Sequence, residues 1–111
     1  MVEAKPLIIT DSEFEEQVIR QEGISVVDFW APWCGPCLQM APGLEAFAGA
    51  NADKVRVFKI DADDNPKTAE RFEIRSVPTV IFFRDGNPVY RSTGAMSQAS
   101  LQSQLDALIK P

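Results

Sequence analysis

Apolar positions along this chain switch between two periods, and each switch marks an element. The run PLIIT (residues 6–10) is short and extended, and reads as a first strand. Thr10 and Glu13 have the spacing of a capping box, with Ile9 and Phe14 placed as its hydrophobic staple. The helix that follows reaches about Gln21, buries Phe14 and Val18 at i, i+4 spacing, and ends at Gly23. Residues 25–30, SVVDFW, are apolar on both alternating faces apart from Asp28, the pattern of a strand covered on both sides. A second helix is expected from the two cysteines, Cys34 and Cys37, to about Ala50, kinked at Pro42. VRVFKI (55–60) is another strand. Asn65-Pro66 then signals the N-cap and first turn of a short helix that turns Ala69 and Phe72 inward. TVIFFR (79–84) and PVYRST (88–93) flank Asp85-Gly86-Asn87 as an antiparallel hairpin, with Pro88 suited to an edge or a strand start. Leu101, Leu105 and Leu108 give a last amphipathic helix over about 98–109.

The order is βαβαβαββα, an α/β arrangement of parallel strands joined by helical crossovers, closed by a hairpin. No repeat, linker or low-complexity tract interrupts it, so one domain over residues 1–111 is expected. Ligands of such sheets gather beyond the carboxyl ends of the parallel strands. Both cysteines sit there, after the 25–30 strand.

Composition changes the picture mainly by exclusion. The net charge of −5, with scattered basic residues, argues against nucleic-acid binding. No run approaches the ~18 apolar residues of a membrane span, and MVEAKPLIIT lacks the layout of a secretory leader. Two Cys and no His cannot complete a structural zinc site within one chain, so no metal is expected. The same counts exclude a His-based triad and a Cys–His protease pair.

The chemistry lies in WAPWCGPCL (30–38). At a helix start, Cys34 faces the unpaired N–H groups of the first turn, which favours its thiolate. Cys37 lies one turn further in, shielded and closer to a neutral thiol. Gly35 permits close approach of another chain, and Pro36 restricts the loop. Cys34 would attack a partner's disulfide, and Cys37 would then displace the mixed disulfide. Asp28, the ionisable residue of an apolar strand, is the candidate base for Cys37, its pKa raised by burial. Lys59, on the neighbouring strand, is its candidate charge partner. A passive cysteine pair, half of a metal site shared across a dimer, and an Asp28 that reaches solvent stay open at this level. So does an ordinary trans Pro78.

VVDFWAPWCGPC, Ala41-Pro42, FKIDADDNP, IRSVPT, FFRDG and Gly94-Ala95 closely resemble the thioredoxin family, in the right order and over nearly the whole chain. The resemblance implies a three-layer α/β/α fold, a central five-stranded mixed sheet flanked by four helices, with the last two strands antiparallel. It also implies a protein-disulfide reductase with Cys34 attacking, Cys37 resolving, and Asp28 with Lys59 assisting the second step. The Val77–Pro78 bond would be cis, and Trp33, Val77, Gly94 and Ala95 would form an apolar docking surface. Disulfide-containing proteins and thioredoxin reductase are the implied partners, for a monomer in the reducing cytoplasm. No cofactor would be bound, NADPH and FAD acting through the reductase. The Gly35-Pro36 pair is similar to that of reducing members, against an oxidase or isomerase; a binding module with incidental thiols is the other alternative. Leu38 departs from the Lys or Arg often found there in relatives.

Overall fold

The structure, a computed structural model, describes residues 5–110; part of the stretch read for a leader (1–4) and Pro111 lie outside it. Its strands are β1 (Leu7–Ile8), β2 (Ile24–Trp30), β3 (Val55–Asp61), β4 (Thr79–Arg84) and β5 (Asn87–Thr93). Its helices are α1 (Asp11–Phe14, continued by a π-helical turn over Glu15–Ile19), α2 (Gly35–Ala50), α3 (Pro66–Arg71) and α4 (Gln98–Ile109). The sheet order is β1-β3-β2-β4-β5. β1 and β2 run parallel to β3, while β4 is antiparallel to both β2 and β5. This is the mixed five-stranded sheet implied by the resemblance.

Period-two alternation along β2 divides the core. Val26, with Val57 and Phe82, meets Met40, Leu44 and Phe47 of α2 and Leu101 and Leu105 of α4. Val27 and Phe29, with Phe58, Ile81 and Phe83, meet Phe14 and Val18 on the other face. There the Phe72 ring lies 5.4 Å from both Phe14 and Phe83, so α1 and α3 share one aromatic cluster. Helices therefore cover both faces, as a strand apolar on both faces but for Ser25 and Asp28 requires.

Three expectations shift. The first strand keeps only two paired residues, because Ile9 turns into the core and Thr10 caps α1, its N–H donating to Glu13 Oε1 at 3.0 Å. The first helix ends at Ile19 rather than about Gln21, the Arg20 N–H closing a wide turn on Glu15 O at 3.0 Å. In α3 the capping is done from a distance: Asp11 accepts from the N–H groups of Lys67 and Thr68 at 3.2 and 2.8 Å. Asn65 keeps the cap position but donates its side-chain amide to Asp61 O. Thr68 is fully buried, with Ala69 and Phe72 half-buried. Pro42 lies inside α2 without ending it. Pro88 falls on the edge strand β5, at a register irregularity opposite Phe82 and Phe83.

Candidate active site

β2 delivers the chain to the site. Its last residue, Trp30, is followed by a short turn in which the Cys34 N–H donates to Ala31 O at 3.1 Å. Cys34 is then the N-cap of α2. Its sulfur accepts the N–H of Cys37 at 3.2 Å, the part a Ser or Asp oxygen plays at ordinary helix starts. Gly35 and Pro36 fill the first two helical positions, where a proline's missing N–H leaves no bond unmade. Cys34 and Cys37 are joined as a disulfide, their Cα atoms 5.2 Å apart. The same N–H and the positive end of the helix would favour a thiolate at Cys34 once the bond is reduced.

Both cysteines are 3% exposed in this oxidised form, so the expected contrast between an open and a shielded sulfur is not one of burial. It lies in the surroundings. Cys34 is next to Trp33, 70% exposed, and its Sγ is 3.6 Å from Val77 O. Ala31, Cys34 and Cys37 form a small apolar cluster capped by Trp30 and Val77. The Val77–Pro78 bond is cis, and the Gly94 N–H donates to Pro78 O at 2.8 Å, which brings Gly94 and Ala95 to the same rim.

Asp28 is 2% exposed and does not reach solvent. It sits in the central strand, opposite Lys59 on one side and Val80 on the other. Alternation puts it on the face that packs against α2. Its Oδ1 has no hydrogen-bond partner among the described residues. Burial raises its pKa from 3.8 to about 6, with the charge of Lys59 acting in the opposite direction. The Lys59 ammonium lies over the Trp30 ring, 4.3 Å from its centroid, a cation–π contact.

A cleft of about 170 Å³ opens beside the disulfide, between Trp33 and Val77, floored by Ala62, Ala69 and Ile74 and rimmed by Asp63, Arg75 and Ser76. Asp63 was not singled out by sequence reasoning, yet its Oδ2 accepts the Trp33 indole N–H at 2.6 Å. Its only sequence signal was membership of an acidic run before a helix, which reads equally well as capping. On the other side, Pro36, Gln39, Met40 and Gly43 of α2 face Ala95, Met96 and Gln98 across a second groove of about 280 Å³. Among the described residues no cluster of His, Cys, Asp or Glu could hold a metal ion, and no helix is long and apolar enough to cross a membrane.

The thioredoxin family profile matches residues 5–107. The chain is 48% identical over 99 residues to a thioredoxin of Alicyclobacillus acidocaldarius, covering 89% of this chain and 93% of that one. It is 47% identical over 98 residues to a thioredoxin of Staphylococcus haemolyticus, covering 88% and 92%. With a thioredoxin of Rhodospirillum rubrum the identity is 43% over 101 residues, covering 91% and 97%. With the sheet, the helix-capping cysteine and the disulfide all in place, the chain belongs to the thioredoxin family and is a protein-disulfide oxidoreductase that works through a dithiol–disulfide pair.

Proposed function

We propose that Cys34 is the attacking sulfur, Cys37 the resolving sulfur and Asp28 the base between them. The observation that carries this is the Cys37 N–H donated to Cys34 Sγ at the start of α2, a geometry that favours negative charge on that sulfur. The Cys34 thiolate attacks one sulfur of a partner's disulfide, forming a mixed disulfide and expelling the other sulfur as a thiolate, which takes up a proton. Asp28, titrating near 6, accepts the Cys37 proton at neutral pH. Cys37 then attacks Cys34 Sγ, closing the intramolecular bond and expelling the partner's second sulfur as a thiolate, which is protonated as it leaves. The partner gains two electrons from this chain and two protons, one of them the Cys37 proton passed on by Asp28 and the other drawn from solvent, to which Cys34 gave its own on ionising.

Lys59 sets the charge around Asp28, and Gly35 and Pro36 tune the loop. An extended partner segment lies across Trp33, Val77, Pro78, Gly94 and Ala95, pairing with the Val77 backbone as an added strand. Thioredoxin reductase restores the dithiol from NADPH through its FAD. The chain acts as a single-domain monomer in the reducing cytoplasm, on disulfide-containing proteins rather than nucleic acid or membrane.

Reduction of insulin by dithiothreitol tests the assignment. Cys34→Ser should abolish acceleration, and Cys37→Ser should accumulate a mixed disulfide through Cys34. A mixed disulfide through Cys37 instead would reverse the roles. Partner function surviving the double serine variant would favour a binding surface over a reductase.

A further inference from the structure

We propose that Arg91 is a positioning residue for protein-disulfide reduction, fastening from the edge strand β5 the α3–β4 connection that carries Val77. The proposal rests on the reductase reading above.

α3 ends in a Schellman motif: the Ile74 N–H donates to Ala69 O at 2.8 Å and the Glu73 N–H to Glu70 O at 3.0 Å. The left-handed residue of that motif is normally glycine, but here it is Glu73, with φ 52°. A β-carbon disfavours that conformation, so the turn needs an outside hold. Arg91 supplies one. Its Nη1 donates to Phe72 O, and its Nη2 to Glu73 O at 2.8 Å. These are carbonyls that no further turn of helix can satisfy.

The anchor is firm. Arg91 lies opposite Ile81 of β4, and Tyr90 before it packs edge-on against Phe82. Alternation therefore turns Arg91 to the α3 face of the sheet. What it holds leads directly into the cleft: Ile74, Arg75, Ser76 and Val77 are four successive residues of the wall facing Trp33. Within that wall the Arg75–Glu73 ion pair is 3.8 Å long and exposed, too weak to fix the backbone. With the wall set beforehand, an extended partner meets a strand-like edge that it does not have to order. A small disulfide, which needs only the sulfurs, gains nothing from it.

The test compares insulin, turned over with dithiothreitol, and the small disulfide 5,5′-dithiobis(2-nitrobenzoate) across variants. Arg91→Ala removes both hydrogen bonds, from carbonyls that water can also reach, and should raise KM for insulin by about threefold to tenfold, the net weight of about one hydrogen bond, with kcat and the small-disulfide rate unchanged. Arg91→Lys, with one donor nitrogen in place of two, should fall between. Adding Glu73→Gly to Arg91→Ala should recover at least half of the lost KM, because glycine holds the turn unaided. Should Arg91→Ala fail to fold, Arg91→Lys with and without Glu73→Gly carries the same comparison. An unchanged KM in an active protein, an equal loss on both substrates, or no recovery with Glu73→Gly would overturn the proposal alone. A wild-type chain inert toward both disulfides would overturn the reductase reading, and this inference with it.

Discussion

Asp28 should make the folded protein less stable as the pH rises from about 4 to above 6. Its carboxyl is buried in the central strand, one oxygen unpartnered among the described residues, and its pKa rises from 3.8 to about 6. A native pKa above the unfolded one means that the native state holds the proton more tightly. Below pH 3.8 both states are protonated and burial carries no charge penalty. As the pH climbs from about 4 to above 6, the unfolded chain ionises first and the native state loses ground. The full penalty is about 3 kcal/mol, reached by pH 7–8. Asp28→Asn keeps the shape and removes the titration. Guanidinium denaturation of both oxidised proteins between pH 4 and pH 8 should show the variant gaining about 2–3 kcal/mol on wild type across that range. The absolute offset, which includes burying an amide, cancels in this comparison. Parallel stability curves would refute the reasoning. They would mean that Asp28 ionises in the native state as easily as in water, leaving it no capacity to take a proton from Cys37 near neutrality.

The same residue shows what the sequence could and could not say. SVVDFW declared a strand covered on both faces, and the structure fills both faces with helices. Whether Asp28 escaped to solvent depended on β2 lying between β3 and β4, a strand order that local pattern does not encode. Helix α4 was legible from the spacing of Leu101, Leu105 and Leu108, the first two of which are buried, and α2 from its start at the cysteines, where the Cys34 sulfur accepts the Cys37 N–H. The π-helical turn was not, since Phe14 and Val18 are buried with either hydrogen-bond pattern. Asp63 and Arg91 escaped for a different reason. Their partners, Trp33 and the Phe72 and Glu73 carbonyls, lie far along the chain, and only folding makes them neighbours. The reacting sulfurs are local and announce themselves, whereas the residues that hold their surroundings are long-range and do not.

Two further substitutions probe packing and charge. Gly86 has φ +83°, and a β-carbon there would stand 2.0 Å from Ile19 O, where the β4–β5 turn meets the end of the first helix. Gly86→Ala should therefore cost about 2–4 kcal/mol and lower Tm by at least ~10 °C in a thermal melt; a shift within ~2 °C would show that the turn can move aside. Leu38 is 54% exposed one residue after Cys37, so Leu38→Lys adds a charge to the rim without opening the core. An exposed charge of this kind is worth up to about 1 kcal/mol, so the rate with an acidic protein disulfide relative to a neutral one should rise by up to about fivefold at low salt. That gain should vanish near 1 M salt, where the screening length falls to about 3 Å. An unchanged ratio at low salt would mean that Leu38 does not set the charge preference of the rim, and a gain that survived high salt would mean that the lysine acts by contact rather than through its field.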